Sequence, residues 1–372
     1  MTATLALLLA LALALAAIYA PADPWWRLPL RGPSHTVRVG ASPPRPALGP
    51  PRAAGFFARG LAIDARILVA HLGGTLRAGG ASLRAGCADV FFEHVAVADV
   101  ARRPGALLVN HEVLSTVDVA RMRRGAVAVA LVKTDAGARA VAALCPGVRQ
   151  VRVPMYTPCA MRAGERVHKD IGCAIHLAGH SWMKGTEAVA RAWAPDLPRL
   201  LITCSPLSAL FHGLAIARTP RNVCAAMALE RAEVLAALRR CAIAVLPSAC
   251  EGWSHAIREA MACGCIVITC DRPPMNEAVR HMETGILVPM HDSVRIPVRA
   301  LGAWRCARPA DSGAARLPAP ARVAEAVRAV QRMAPAERAR IAQNAHDAWA
   351  AETAAAIAAW PRAAAELAEA VG

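Results

Sequence analysis

Alternation between short apolar runs and helical segments is the feature that most restricts the fold of this chain. Runs suited to buried strands appear at 88–92 (ADVFF), 106–109, 126–132 and 149–153, with helical segments between several of them. Apolar strands that alternate with helices are typical of a doubly wound parallel sheet, because such strands are buried on both faces. Residues 59–160 are therefore predicted to form a Rossmann-like domain, which we assign to the acceptor side.

A second series of the same kind follows a turn-rich segment at 153–170, which indicates a connection between two domains. Its elements are predicted strands at 173–178, 199–204, 213–217, 242–246, 266–270 and 285–289, and predicted helices at 185–194, 229–240 and 254–263. We expect this second Rossmann-like domain to span 161–310. A helical tail, 311–372, is expected to pack back across both domains.

The amino-terminal segment is distinct in composition from the two predicted domains. Residues 3–20 are apolar and uncharged, a length that is marginal for a membrane span and long for a signal-peptide core. We therefore expect 1–22 to be a signal peptide or a membrane anchor, unless the start codon is wrongly assigned. Residues 23–58, rich in proline and glycine, are predicted to be a linker or stem. A genuine segment implies membrane association or the secretory pathway (Golgi or ER); otherwise the protein is expected in the cytoplasm.

Net charge and cysteine spacing limit the classes of ligand and metal site that this chain is expected to have. A formal net charge of +16 favours anionic partners such as phosphorylated ligands, although an arginine-rich composition also raises the pI without any such role. The chain has no basic run with interleaved aromatic residues, so nucleic acid is not predicted as a partner. The twelve cysteines are scattered through apolar runs. Cys263 and Cys265 lack a second pair at zinc-ligand spacing, so no metal site is predicted.

The stretch EGWSHAIRE, residues 251–259, places two carboxylates at the edge of the second sheet. Glu251 follows the predicted strand at 242–246, in the loop beyond its carboxyl end, and Glu259 lies on the next helix. A carboxylate accepts hydrogen bonds from neighbouring hydroxyls, as on ribose or hexose, and a helix N-terminus attracts phosphate. The pattern favours a nucleotide sugar as the ligand, against a capping and solvent-facing pair of glutamates.

A second loop offers the cation expected beside a diphosphate. The stretch GHSWMKGTEAV places Gly179, His180 and Lys184 between the first strand and the first helix of the second domain. Glycine lets the backbone approach a phosphate closely, and a lysine supplies the charge. Alone, this loop is also compatible with a solvated Lys-Gly pair at a helix start. Together with the glutamates it predicts a diphosphate site.

These residues resemble a known family. The stretch PSACEGWSHAIREAMACGC, followed by GILVP, is similar to the carboxy-terminal signature of GT-B glycosyltransferases, specifically the retaining family 4, or group 1, enzymes. The resemblance covers about 171–290. It implies that Glu259 binds the nucleotide ribose, Glu251 binds hydroxyls of the transferred sugar and Lys184 neutralises the diphosphate. Backbone of the loop after Glu251 is implied to line the sugar, at Gly252, Trp253 and Ser254.

Three departures from the family pattern stand out. The phosphate loop lacks the family's arginine and has His180 nearest that place. The family's EGFG is EGWS here. The first domain looks reduced, and within it only His111, in VNHEVLS at a strand end, is a candidate catalytic residue.

The sequence thus predicts an α/β protein of the GT-B type, with two Rossmann-like domains that face a cleft. We expect a glycosyltransferase that moves a sugar from a nucleotide sugar to a glycan, lipid or protein acceptor. The resemblance implies retention of configuration, and because no Asp-x-Asp occurs we expect no metal and no other cofactor. The alternatives are an inactive protein of this fold that binds sugar nucleotides or glycans, and a sugar-nucleotide epimerase.

Overall fold

The computed structural model describes residues 35–38, 59–73, 75–76, 82–85, 88–92, 105–112, 114, 116–159, 161, 165–179, 181–295 and 316–371. The hydrophobic segment 1–22 and His180 lie outside these residues. No helix within these ranges has the length and apolar character needed to cross a membrane.

The first domain is built on a sheet with strand order β2-β3-β4-β5-β6-β7. Strands β4 to β7 pair in parallel, while β2 and β3 extend the edge in antiparallel fashion. The strands are β2 (Thr75–Leu76), β3 (Ser82–Ala85), β4 (Ala88–Phe92), β5 (Gly105–Leu108), β6 (Val127–Val132) and β7 (Arg149–Arg152). The helices are α1 (Arg59–Leu72), α2 (Thr116–Arg123) and α3 (Asp135–Leu144). The predicted parallel Rossmann-like sheet is confirmed.

The second domain has the sheet order β10-β9-β8-β11-β12-β13, with every neighbouring pair parallel. Cys173 and Cys241 form a disulfide between neighbouring strands β8 and β11. The strands are β8 (Arg166–Gly179), β9 (Arg199–Cys204), β10 (Val223–Met227), β11 (Cys241–Val245), β12 (Ile266–Cys270) and β13 (Gly285–Val288). The helices are α4 (Thr186–Ala192), α5 (Pro206–Ala217), α6 (Arg231–Arg240), α7 (His255–Ala262) and α8 (Met275–Ala278). Strands β14 (Val294–Arg295) and β15 (Arg316–Leu317) form a separate antiparallel pair.

Two sequence predictions are wrong at specific elements. The strand predicted at 213–217 is the end of helix α5, which starts at a Ser205 cap and has proline in its first turn. The linker predicted over 23–58 contains strand β1 (His35–Arg38), which pairs antiparallel with β8. Val37 is fully buried there. The second sheet therefore includes a strand from far upstream in the chain.

Two carboxy-terminal helices, α9 (Pro320–Arg332) and α10 (Pro335–Val371), follow the second domain. Trp349 of α10 packs into the core of the second domain, whereas Trp360 and Leu367 pack into the core of the first. The carboxy-terminal helices therefore contact both domains. Burial of these side chains couples the two domains.

Candidate active site

Glu251 lies in the loop that leaves β11, where the chain turns at the carboxyl edge of the second sheet. Strand β11 is buried throughout because all its residues are apolar. The Glu251 side chain is buried and its Oε1 accepts hydrogen bonds from Ser248 Oγ at 2.5 Å and Lys184 Nζ at 2.6 Å. A buried carboxylate needs such partners, since an unpaired charge away from water is costly. The structure therefore brings together Glu251 and Lys184, which sequence analysis placed in one site.

The loop that carries Lys184 is held against the Glu251 loop by backbone contacts. Gly179 and Gly185 both have positive φ, +57° and +77°, a conformation that favours glycine. A Cβ at Gly185 would overlap the Pro247 carbonyl oxygen. In addition, the Ala249 N–H donates to the Met183 carbonyl at 2.7 Å. The two loops therefore form one rigid wall of the site.

His176 holds these two loops in place through hydrogen bonds, and sequence analysis did not identify it. Its Nδ1 lies 2.6 Å from the Val245 carbonyl oxygen and its Nε2 lies 2.9 Å from Thr186 Oγ1. Burial lowers the pKa of His176 to about 4, so the ring is neutral at pH 7. The histidine thereby ties the end of β11 to the start of α4. Its position inside an apolar strand pattern gave no signal of a polar role.

The residues after Glu251 lead into the first domain. The Trp253 ring packs into the core of the first domain, and the Arg258 guanidinium lies over it at 3.5 Å. Arg258 in turn makes a bidentate ion pair with Glu352 of α10, at 2.6 and 2.8 Å. Ser254 has φ +62° at the start of α7. The Trp253 side chain is thus an interdomain anchor, which leaves the backbone of this loop as the part that can line a ligand.

Glu259 lies on α7, one to two helical turns beyond that loop, and its side chain is only 6 % exposed. Its Oε1 lies 2.6 Å from Nη2 of Arg231, the first residue of α6. Sequence analysis did not identify Arg231, because the pairing joins two segments that are separated along the chain. Part of the acceptor capacity of Glu259 is therefore occupied by an arginine.

Across the cleft, the loop after β5 presents Asn110, His111 and Glu112. The His111 side chain is only 12 % exposed, and desolvation lowers its pKa to about 4. Gly252 of the second domain lies directly against this loop: a Cβ there would overlap Asn110 Oδ1 and would lie 2.9 Å from Glu112 Oε1. The carboxyl edges of the two sheets therefore face each other, and glycine permits their close approach.

A buried polar network joins the domains behind this cleft. Asp64 of α1 accepts from Lys133 Nζ at 2.8 Å and contacts His255 Nε2 at 2.8 Å. His255 Nδ1 lies 2.8 Å from Thr157 Oγ1, and Lys133 also donates to Asn110. Burial alone would raise the pKa of Asp64, but Lys133 and His255 outweigh it and hold the pKa below its usual value. The network fixes Asn110, and with it the first-domain loop that faces Gly252.

Comparison with known proteins gives a family match for part of the chain. Residues 214–296, which contain both glutamates, match the family model described as glycosyl transferases group 1. The predicted resemblance is confirmed. Residues 214–296 are therefore similar to this glycosyltransferase family. No sequence among the curated proteins matches the chain significantly.

The solved structures that resemble this chain include two of HepE. HepE from Anabaena, in complex with UDP and glucose, has a TM-score of 0.50 at 15 % identity over 72 % of each chain. HepE in complex with UDP-glucose has a TM-score of 0.50 at 16 % identity over 72 % of this chain and 73 % of HepE. Sucrose-phosphate synthase from Thermosynechococcus elongatus has a TM-score of 0.47 at 17 % identity, over 68 % of this chain and 59 % of its own. The likeness to HepE confirms the predicted GT-B fold.

Proposed function

We propose that this glycosyltransferase moves a sugar from a nucleotide sugar to a glycan, lipid or protein acceptor, with retention and without a metal ion. The observation that carries the proposal is the Lys184–Glu251 pair, held on a rigid wall at the carboxyl edge of the second sheet. The bound UDP-glucose of HepE, a protein of the same fold, supports a nucleotide sugar as the donor.

Each group has a proposed role at this edge. Both hydrogen bonds to Glu251 end on Oε1, so we assign Oε2 to the hydroxyls of the transferred sugar. Lys184, with 23 % of its side chain exposed, lies where it can meet the diphosphate. Glu259 binds the ribose with the acceptor capacity that Arg231 leaves. The backbone of Gly252 and Ser254 lines the sugar, and Gly179 and His180 remain candidates beside the phosphates.

The proposed reaction breaks the bond between the anomeric carbon and the phosphate oxygen and forms a bond to the acceptor oxygen on the same face. The acceptor hydroxyl loses its proton, which the departing diphosphate can take up. Lys184 stabilises the charge that develops on this leaving group, the contribution that preorganised charges make in a desolvated site. Its carboxylate partner Glu251 holds Lys184 in place before the donor binds. We assign His111, whose low pKa keeps it neutral at pH 7, to the transferred sugar.

A panel assay tests the proposal. The full chain is used, because β1 (His35–Arg38) belongs to the sheet of the second domain. UDP-glucose, UDP-N-acetylglucosamine, GDP-mannose and ADP-glucose are each supplied, and the nucleoside diphosphate released and the sugar product are measured. Release of diphosphate with one donor supports the proposal. Binding without release supports the inactive alternative, and an isomerised nucleotide sugar would show an epimerase.

A further inference from the structure

Glu112 is a buried carboxyl of the first domain that none of the roles above uses. It lies in the loop beyond the carboxyl end of β5, next to His111, at the edge where ligands bind in such sheets. Its Oε1 faces Gly252, the residue directly after Glu251. The two glutamates therefore approach one another from opposite domains.

The Glu112 carboxyl has an oxygen without a partner. Its side chain is only 10 % exposed, and Oε2 has no hydrogen bond from any residue that the structure describes. The nearest candidate, His111 Nδ1, is 3.7 Å away, and burial keeps this histidine neutral at pH 7. A buried polar oxygen without a partner costs free energy, and in native proteins such a group is usually satisfied by protein, water or ligand.

Neighbouring cations do not neutralise Glu112 directly. Lys133 donates to Asp64 and Asn110, and Lys184 donates to Glu251. Burial raises the pKa of Glu112 to about 7; Glu251 adds to the rise, while Lys133 and Lys184 oppose it. A substantial fraction of Glu112 is thus protonated near neutral pH. A protonated carboxyl can donate a hydrogen bond as well as accept one, which a carboxylate cannot do.

We propose that Glu112 binds the transferred sugar from the first domain, opposite Glu251, with its carboxyl hydrogen-bonded to a sugar hydroxyl. This inference rests on the proposed function and adds a specificity residue to it. Glu251 accepts hydrogen bonds only, whereas Glu112 both donates and accepts. The pair therefore discriminates donors by the positions and orientations of hydroxyls on the sugar ring.

Calorimetry with two probes distinguishes a contact to the sugar from a contact to the nucleotide. The probes are whichever nucleotide sugar the wild-type chain binds from the panel above and the matching nucleoside diphosphate. Glu112→Ala should weaken binding of the nucleotide sugar about tenfold or more, as expected when a buried hydrogen bond is lost, and leave the diphosphate within about twofold. Glu112→Gln, which keeps the shape and a neutral donor, should retain most of the affinity. The matched control, Glu325→Gln on the exposed face of α9, should leave the affinities for both probes unchanged.

The pH dependence provides a second readout. As pH rises through about 7, Glu112 loses its proton, and the affinity of the wild type for the nucleotide sugar should fall. In Glu112→Gln this fall should disappear, since no proton is lost, while His111 stays neutral throughout. Equal losses for both probes, or an unchanged affinity in Glu112→Ala with thermal unfolding as in wild type, would overturn the inference. A wild type that binds no member of the panel would instead refute the proposed function itself.

Discussion

Replacement of Glu259 by alanine tests the ribose assignment and the unexpected partner of this residue together. Glu259 is buried and shares its Oε1 with Arg231 at 2.6 Å. A hydrogen bond to a charged group contributes about 1.5–3 kcal/mol. Loss of the carboxylate should therefore weaken binding of a nucleoside diphosphate roughly 10–150-fold, measured by calorimetry.

Arg231→Ala removes the other partner of the ion pair. It distinguishes a ligand contact made by Glu259 from a purely structural role of the pair. Breaking a buried pair costs about 3–5 kcal/mol. Because 33 % of the Arg231 side chain is exposed, solvent screening reduces the expected loss of stability to about 1–2 kcal/mol, measured by denaturant unfolding. Nucleotide affinity should change by less than about threefold, since Glu259 keeps its carboxylate for the ribose.

The matched control is Glu283→Ala, which removes the exposed pair with Arg280 and should leave nucleotide affinity unchanged. Equal losses of affinity in Glu259→Ala and Arg231→Ala would refute the reasoning, because they would show that the pair acts on the ligand only through the fold. Unchanged affinity in a folded Glu259→Ala variant would refute the ribose contact.

Three further outcomes are expected. Lys184→Ala should weaken binding of the diphosphate far more than that of the nucleoside; equal losses would point to a purely structural lysine. Gly185→Ala should lower the free energy of unfolding by at least about 1–2 kcal/mol in denaturant titrations, because alanine disfavours positive φ and its Cβ would overlap Pro247; unchanged stability would contradict the close loop contact. Sugar transfer should persist in EDTA, and strict dependence on a divalent cation would contradict the metal-free reaction.

Local patterns predicted most of the second domain. Apolar runs such as 242–246 and 266–270 are buried strands, and the loop that holds Glu251 follows from the turn after β11. The strand prediction for 213–217 was wrong because a short apolar run fits a buried helix as well as a strand. Ser205 and Pro206, a cap and a first-turn proline, were the signal that could have identified the helix start.

Contacts between distant segments could not be predicted in the same way. The pairing of β1 with β8, the Arg231–Glu259 pair and the approach of Gly252 to Glu112 each join residues far apart in sequence. Hydrophobic period and turn chemistry describe only local structure, so they carry no information on these contacts. The sequence pattern VNHEVLS suggested His111 alone, whereas the fold shows that its neighbour Glu112 faces the second domain.

The most direct test of the central claim is sugar transfer by Glu251→Gln beside its binding of the nucleoside diphosphate. Glu251 is assigned to the hydroxyls that position the anomeric carbon, so its loss should appear in turnover. The account predicts that transfer falls on the order of a hundredfold or more, while the diphosphate binds nearly as well as to wild type. Transfer at the wild-type rate in Glu251→Gln, or loss of diphosphate binding equal to the loss of transfer, would contradict it.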